Sequence, residues 1–219
     1  MINNRRVIDH IVNWLKQYVE GTNGKIDSLV IGVSGGIDSA VTSTLCAMTG
    51  IKTILLKLPI KSSNMSLSIS HCKFLDNKFN NIKNYEIDLT NVFNLFQSSC
   101  VDFGFDSEIG FANTKARIRM IMLYQVASSS NGLVVGTGNK VEDFGVGFFT
   151  KYGDGGVDIS PIADLTKSEV KSIAQELKIS KDIIMAEPTD GLWDDNRNDQ
   201  EQLGLSYEEI EKAMLDIYC

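Results

Sequence analysis

Short apolar runs alternate with longer amphipathic stretches along the chain. Two of the runs, SLVIGV at Ser28–Val33 and TILLKL at Thr53–Leu58, are almost continuously apolar, which is typical of parallel strands covered on both faces. Two further strands are predicted at Tyr85–Leu89 and Leu133–Gly136. This alternation predicts an α/β fold with a doubly wound, mostly parallel sheet flanked by helices.

Helices are predicted between the strands, where apolar residues recur at three- and four-residue spacing. The helix after the first strand should stop near Gly50, since glycine is common just past helix ends. Thr166 and Ser206 each precede a glutamate by three residues, a capping-box pattern that predicts a helix start at each. The segments Cys100–Gly110 and Gly145–Asp158 lack periodicity and are predicted to be loops. The predicted helices are Val7–Val19, Ser39–Met48, Ser66–Phe79 and Thr114–Ser128.

Length and charge narrow the class of protein. The 219 residues suffice for one well-filled core, so 1–219 is predicted to be a single domain. The net charge of −7 comes without any basic run, which disfavours a nucleic-acid partner. No apolar stretch resembles a membrane span or a secretory signal. The four cysteines lack C-x-x-C spacing, which favours a reducing cytoplasm over a zinc knuckle or a redox pair.

The strongest chemical signal is Gly32–Ser39, which reads G-V-S-G-G-I-D-S between an apolar run and a predicted helix. Gly35 and Gly36 permit a sharp turn close to a ligand, and the helix start points unpaired N–H groups at it. Asp38 would repel a phosphate unless a divalent cation such as Mg²⁺ lay between them. The string lacks the G-K-S/T ending of a Walker motif. A plain Gly-Ser turn followed by a helix cap is the alternative interpretation.

The S-G-G-I-D-S string resembles the signature of the N-type ATP pyrophosphatases, which split ATP between its α- and β-phosphates. Farther along, the chain resembles NAD synthase in order and spacing from about Val7 to Tyr207. The matching strings are K-A-R-I-R-M from Lys115, V-G-T-G-N-K-V-E from Val135, F-F-T-K-Y-G-D-G-G-V-D from Phe148, L-T-K from Leu165 and E-P-T from Glu187. The resemblance implies an adenine-nucleotide α-hydrolase-like fold and an ammonia-dependent enzyme without a glutaminase domain.

By this resemblance, the chain is a ligase that amidates deamido-NAD to NAD with ATP and ammonia. Adenylation of the nicotinate carboxylate would give an NAD-adenylate and pyrophosphate, after which ammonia would displace AMP. The family also implies Mg²⁺ and a homodimer. The amphipathic stretch Ala112–Ala127 is a candidate for the dimer surface, with plain core packing as the alternative.

The resemblance also implies the role of each site residue. Asp154 is the candidate for receiving or orienting ammonia, with an ordinary Asp-Gly turn as the alternative. Deamido-NAD is expected on Arg117, Lys151 and Asp158, although a solvated helix face is the alternative for Arg117. Mg²⁺ is expected on Asp38 and Glu142. ATP is expected on Gly32, Val33, Ser34, Gly35, Gly36, Ile37, Asp38, Ser39, Thr137, Lys167 and Thr189.

The end of the chain departs from the family pattern. Many members carry a His-Lys pair that contacts deamido-NAD, and no such pair follows Tyr207. The two histidines present, His10 and His71, lie far upstream and are predicted to be surface or half-buried structural residues.

Two other functions remain open from the residues alone. One is another pyrophosphatase of the same superfamily, such as a thiolating enzyme, which the acidic charge and the absence of cysteine pairs disfavour. The other is a catalytically silent adenine-nucleotide sensor. The presence of both Asp38 and Glu142 favours metal-dependent chemistry over a sensor.

Overall fold

A computed structural model describes residues 3–61, 65–187, 192 and 202–218. Its centre is a parallel four-stranded sheet in the order β3-β2-β1-β4. The α/β class and the parallel sheet predicted from the sequence are therefore confirmed. The strands are β1 Ser28–Gly32, β2 Lys52–Lys57, β3 Ile82–Glu86 and β4 Gly132–Val134.

Helices connect the strands and cover both faces of the sheet. The first helix begins after Asn3, whose side chain accepts a hydrogen bond from the Arg6 amide at 3.1 Å. Seven further helices and one π-helix are described. They are α1 Asn4–Glu20, α2 Ile37–Met48, α3 Ser66–Lys78, α4 Thr90–Val101, α5 Glu108–Ser129, the π-helix Lys140–Val146, α6 Lys167–Glu176, α7 Lys181–Met185 and α8 Tyr207–Tyr218.

Two apolar cores lie on opposite faces of the sheet, because successive side chains of a strand point to opposite sides. Leu29 and Ile31 of β1 pack in one core, which also takes residues from α1, α2, α3 and α6. Val30, between them, packs in the second core with Phe93 of α4 and Leu123 of α5. This burial on both faces explains why β1 and β2 are apolar throughout.

Several predicted boundaries need correction. The third strand was expected at Tyr85–Leu89 but runs from Ile82 to Glu86, because β3 is an edge strand with one buried apolar residue, Ile82, and so lacks an apolar run. Helix α4 lies where no helix was predicted, and it ends inside the segment Cys100–Gly110 that was expected to be irregular. Helix α5 starts six residues before Thr114, since the Ser107 side chain accepts from the Gly110 amide and caps it.

Other boundaries agree with the sequence. Gly50 follows the end of α2 with a φ of 77°, the left-handed conformation expected of a residue just past a helix. Thr166 forms a complete capping box with Glu169 at the start of α6. Ser206 makes the same reciprocal pair of bonds with Glu209 at the start of α8.

The strand order brings two loops together. Because β4 lies next to β1 and parallel to it, the loops that follow these two strands start side by side at the carboxyl edge of the sheet. In doubly wound sheets, ligands bind at this carboxyl edge, where the strand order changes direction. The loop before α2 and the loop before the π-helix meet at that edge.

Candidate active site

Two serines of the loop that joins β1 to α2 form hydrogen bonds within the loop. The Ser34 hydroxyl accepts a hydrogen bond from the Gly36 amide and lies 3.2 Å from the Ser39 hydroxyl, which donates to the Gly36 carbonyl at 2.9 Å. Gly35 has a φ of 96°, and a Cβ there would meet the Ser68 amide at 3.0 Å. No side chain caps α2, so its first N–H groups face the loop. This geometry suits an anion.

Three charged side chains converge next to this loop. The Lys167 ammonium lies 2.6 Å from Asp38 Oδ2 and 2.7 Å from Glu142 Oε1. Each of the three side chains is less than one-fifth exposed, at 11% for Lys167, 17% for Asp38 and 16% for Glu142. Two carboxylates and one ammonium leave a net charge of −1 in a largely buried space. The cluster is therefore suited to a further cation.

Asn139 joins the two acidic residues. Its side-chain amide donates to Asp38 Oδ1 at 3.2 Å, while its side-chain oxygen accepts from the amides of Val141 and Glu142 at 3.0 and 3.1 Å. The same oxygen thus caps the π-helix that carries Glu142. Asn139 is fully buried, so these bonds satisfy a polar group that burial would otherwise penalise.

Tyr207, the first residue of α8, completes the cluster. Its hydroxyl donates to Glu142 Oε1 at 2.7 Å, and the Lys167 ammonium lies 5.0 Å from the centre of its ring. That separation permits a cation–π contact. Four separate elements of the chain therefore meet at this cluster, namely α2, the π-helix, α6 and α8.

The shared environment shifts the pKa values of the cluster. Burial raises the pKa of Asp38, and Lys167 opposes this only in part. Burial also acts to raise the pKa of Glu142, but Lys167, Tyr207 and Asn139 outweigh it and lower that pKa. For Lys167, burial acts to lower the pKa, yet the two carboxylates raise it overall. The lysine is consequently a permanent cation at neutral pH.

Asp143 is a further acid that the sequence did not single out. Burial raises its pKa to about 6, with additional contributions from Glu142, Asp154 and Asp38. A Cβ at position 138 would overlap the Asp143 carboxylate, which accounts for glycine at Gly138. In the part of the chain that the structure describes, no three His, Cys, Asp or Glu side chains are grouped to hold a metal ion by themselves.

The residues expected to bind the second substrate lie around α5 and the loop before Ile159. The Arg117 Nε donates to the Lys151 carbonyl at 3.0 Å, which brings these two residues together. The Asp158 carboxylate accepts from the Tyr124 hydroxyl at 2.9 Å and from the Val134 amide at 2.8 Å. A positively charged pair and an anchored carboxylate thus border the same helix.

An open cavity of about 440 Å³ lies against this part of α5. Tyr124 and Tyr152 both line it, so aromatic rings are available for stacking on a planar ligand. The cavity does not include the charged cluster around Lys167. Of its lining residues, Tyr124 donates a hydrogen bond to Asp158, and the ring of Tyr152 lies 5.1 Å from the Lys151 ammonium. Its remaining lining residues are Met120, Ile121, Gln125, Ser128 and Gly156.

Comparison with known proteins decides the family. A sequence profile described as NAD synthase matches residues 7–218. The chain belongs to the NAD synthase family. A curated relative, the NH3-dependent NAD+ synthetase of Alkaliphilus oremlandii, is 39% identical over 97% of this chain and 86% of its own length.

Solved structures of relatives agree with the fold. The NMN synthetase of Francisella tularensis superposes with a TM-score of 0.89 at 32% identity, covering 98% of this chain and 87% of that one. The NH3-dependent NAD synthetase of Campylobacter jejuni superposes with a TM-score of 0.75 at 28% identity, covering 84% of this chain and 77% of that one. The adenine-nucleotide α-hydrolase-like fold is therefore confirmed.

The structure brings most of the family's expected site residues to one edge of the sheet. Lys167 bridges Asp38 and Glu142 beside the loop Gly32–Ser39. Thr137 lies half-buried in the loop after β4, three residues before the π-helix. Asp154 is exposed, and its carboxylate accepts from the Thr150 amide at 3.1 Å, as a turn residue does. Thr189 lies outside the described residues.

Sequence reasoning missed two members of the site, Asn139 and Tyr207. Asn139 lies in the string V-G-T-G-N-K-V-E, which begins at Val135. Asparagine is a favoured residue just before a helix, so its position could have indicated a helix cap there. Tyr207 carried no chemical signal, because only the packing of α8 brings it to Glu142. Asn139 could therefore have been found from the sequence, and Tyr207 could not.

Proposed function

We propose that this chain amidates deamido-NAD to NAD with ATP and ammonia, through an NAD-adenylate, releasing AMP and pyrophosphate. The observation that carries this proposal is the meeting of Asp38, Glu142 and Lys167 beside the glycine-rich loop, in a chain of the NAD synthase family. The nicotinate carboxylate attacks the α-phosphorus of ATP, and the bond to the bridging oxygen of the β-phosphate breaks. Ammonia then attacks the activated carbonyl carbon, a proton is lost, and AMP leaves.

The loop before α2 is assigned to the phosphates of ATP. The unpaired N–H groups at the start of α2 stabilise the negative charge that builds up on departing pyrophosphate. The hydroxyls of Ser34 and Ser39 are close enough to exchange their mutual bond for bonds to phosphate oxygen. Lys167 supplies a permanent positive charge next to them. The missing side chain at Gly35 leaves room for the Ser68 amide, so the loop can make its turn beside the start of α3.

Mg²⁺ is assigned to Asp38 and Glu142. The two carboxylates already converge on one cation, the Lys167 ammonium, within 2.7 Å. This donor set fits Mg²⁺, which commonly binds one or two carboxylates and completes its shell with water and substrate phosphates. When bound, the metal neutralises charge on the transferring and leaving phosphates. The side chains of Asn139 and Tyr207 hold the two carboxylates in place.

Deamido-NAD is assigned to the surface of α5. Arg117 and Lys151 supply two positive charges for its phosphates or carboxylate, while Asp158 is held by Tyr124 and the β4 backbone. The aromatic lining of the adjoining cavity suits a nicotinate or adenine ring.

Asp154 remains the candidate for orienting ammonia. Its carboxylate contributes to the raised pKa of Asp143, so the two acids are near enough to interact electrostatically. A negatively charged surface of this kind attracts ammonium, and a carboxylate can accept the proton lost during attack. The Thr150 amide fixes the orientation of Asp154.

The direct test is incubation with ATP, Mg²⁺, deamido-NAD and ammonium, followed by chromatographic detection of NAD, AMP and pyrophosphate. Equal amounts of the three products are expected. Omission of ammonium should abolish NAD formation while leaving pyrophosphate release detectable from the adenylation step. Formation of ADP and phosphate would contradict the reaction at the α-phosphorus, and AMP without NAD would identify a different acceptor.

The likeness to the Francisella NMN synthetase favours a second candidate, amidation of nicotinate mononucleotide to NMN. That protein superposes with a TM-score of 0.89 over 98% of this chain. Both substrates present the same nicotinate carboxylate, and they differ in the adenylate half of the dinucleotide. Competition between equal concentrations of the two substrates gives the ratio of kcat/KM directly. Predominant formation of NMN would replace the first proposal by the second.

We further propose a cytoplasmic homodimer. Three cysteines in the described residues, Cys46, Cys72 and Cys100, are unpaired, as in proteins of a reducing compartment. Large apolar side chains are exposed along α4, the following loop and α5, which favours coverage by a second copy. None of the described helices is long and apolar enough to cross a membrane.

A further inference from the structure

The helix farthest along the chain, α8, contributes a side chain to the charged cluster. Tyr207 is only 7% exposed, and its hydroxyl lies 2.7 Å from Glu142 Oε1. The same oxygen accepts from Lys167 at 2.7 Å. A carboxylate oxygen with two strong donors cannot rotate freely, so the direction of its second oxygen, Oε2, is fixed as well.

The body of α8 is packed against the π-helix that carries Glu142. Val141, Tyr207 and Ile210 form a small apolar core that is separate from the two main cores. Gly145 leaves room for Met214, since a Cβ there would lie 2.7 Å from the methionine sulfur. The position of Tyr207 is therefore fixed by packing with the same element whose acid it contacts.

A second contact ties α8 to the helix that carries Lys167. The Glu211 carboxylate accepts a hydrogen bond from the Ser168 amide at 2.8 Å, at the first turn of α6. A negative charge at this position also suits the positive end of the helix dipole. Helix α8 thus contacts the two elements that carry Glu142 and Lys167 through Tyr207 and Glu211, one turn apart.

From these contacts we infer that Tyr207 is a positioning residue for metal and phosphate binding. Its hydroxyl orients Glu142, and its ring supports the Lys167 ammonium at 5.0 Å. This inference rests on the proposed use of Glu142 as a Mg²⁺ ligand. Partners that orient a metal ligand through a hydrogen bond typically affect metal affinity by roughly 10- to 100-fold, without contacting the metal.

The test compares Tyr207→Phe with the wild type in two ways. Mn²⁺ binding is measured by electron paramagnetic resonance in the presence of an ATP analogue with a methylene group between its α- and β-phosphorus. The Mg²⁺ dependence of turnover is measured at saturating ATP. In the variant, the Kd for Mn²⁺ and the Mg²⁺ concentration that gives half-maximal turnover should each rise by roughly tenfold. The reason is that the variant keeps the ring and loses only the bond to Glu142. The KM for the nicotinate substrate should stay within about twofold, since Tyr207 acts on the metal side of the site.

Matched variants separate this role from a general loss of stability. Tyr18→Phe removes the hydroxyl of an exposed tyrosine on α1 and should leave both readouts unchanged. In a Glu142→Gln background, Tyr207→Phe should produce no further loss of Mn²⁺ binding, because the two residues act through one bond. Tyr207→Met removes hydroxyl and ring together, and it should lose at least as much Mn²⁺ binding as the phenylalanine variant.

Unchanged Mn²⁺ binding and Mg²⁺ dependence in Tyr207→Phe would overturn the inference, even if its melting temperature falls. An equal further loss in the Glu142→Gln background would overturn it too, because Tyr207 would then act elsewhere. If the wild type forms neither NAD nor NMN, the proposed function fails. The Mn²⁺ measurement with the analogue still decides the role of Tyr207 in that case.

Discussion

At the scale of single residues, the site depends on charge balance around Lys167. One ammonium between two buried carboxylates leaves an unbalanced negative charge, while ATP brings an excess of negative charge of its own. Mg²⁺ held by Asp38 and Glu142, as proposed, would supply positive charge to offset both. Lys167 alone cannot take the place of a divalent cation, because its positive charge already offsets part of the charge of the two carboxylates.

Asp38→Asn tests this balance. The variant keeps the shape of the side chain and removes one negative charge, so metal-dependent product formation should fall by on the order of a hundredfold or more. Lys167 keeps its contact with Glu142, so the fold should survive. Product formation and thermal unfolding are measured on the same preparation.

The control for this variant is Asp9→Asn. Asp9 is an exposed acid of α1 whose pairing is with Arg5 one turn away, so its loss should change neither activity nor stability appreciably. Near-normal turnover of Asp38→Asn at every Mg²⁺ concentration would remove Asp38 from the metal site.

How far the site follows from the sequence differs from residue to residue. The string around Asp38 predicted a phosphate loop because glycine, serine and aspartate act there through local backbone geometry. Glu142 and Lys167 were assigned by resemblance alone, and in the structure Lys167 contacts both Asp38 and Glu142. Tyr207 could not be predicted, since its partner is 65 residues away and the bond depends on how α8 packs.

At the scale of elements, a buried histidine joins α3 to α2, the helix that follows the glycine-rich loop. His71 is 2% exposed, and its Nε2 lies 3.0 Å from the Ser43 hydroxyl of α2. The expectation of a surface or half-buried residue was therefore wrong for His71. Burial lowers the pKa of His71 from 6.5 to about 4. The folded protein consequently holds this side chain neutral over a range in which the unfolded chain is protonated.

The lowered pKa of His71 should make the folded protein less stable as the pH falls. Above pH 6.5 neither state binds the proton, so the contribution to stability is complete. As the pH falls from 6.5 toward about 4, only the unfolded state gains the proton, and the free energy of unfolding decreases. The loss should reach about 2 kcal/mol at pH 5 relative to pH 7. Urea unfolding of the wild type and of His71→Gln at these two pH values measures it.

In His71→Gln this part of the pH dependence should disappear, although the variant is less stable at neutral pH because the new side chain fits the site less well. His10→Gln is the matched control, since His10 is exposed on α1 and should leave the wild-type dependence intact. The same decline between pH 7 and pH 5 in all three proteins would assign the effect to groups other than His71.

The elements themselves were predictable where local signals were strong. The capping boxes at Thr166 and Ser206 start helices as expected, because both partners of each box are close in sequence. The π-helix Lys140–Val146 was not expected, since its acidic and glycine-containing sequence shows no apolar period. Helix α4 was missed although Phe93 is completely buried, because the opposite side of the helix exposes apolar residues and obscures the pattern.

At the scale of the whole molecule, those exposed apolar residues require an explanation. Leu95 of α4 is 72% exposed, Phe103 and Phe105 of the following loop are 77% and 72% exposed, and Ile121 of α5 is 70% exposed. Water contact with so many large apolar groups is unfavourable, so a partner surface should cover them. The assignment of 1–219 to one domain stays a prediction from the sequence.

If a second copy covers this surface, Ile121→Glu should dissociate the homodimer. A charge placed in an apolar interface loses its hydration without a partner, so the variant should elute as a monomer at micromolar concentration, where the wild type elutes as a dimer. Size-exclusion chromatography with light scattering gives the mass. Tyr18→Glu introduces the same charge at an exposed aromatic residue of α1 and should leave the dimer intact.

Because Ile121 also lines the cavity assigned to the nicotinate substrate, the monomer should bind that substrate more weakly while its Mn²⁺ binding is retained. A wild-type protein that is monomeric at micromolar concentration would rule out this explanation of the apolar surface.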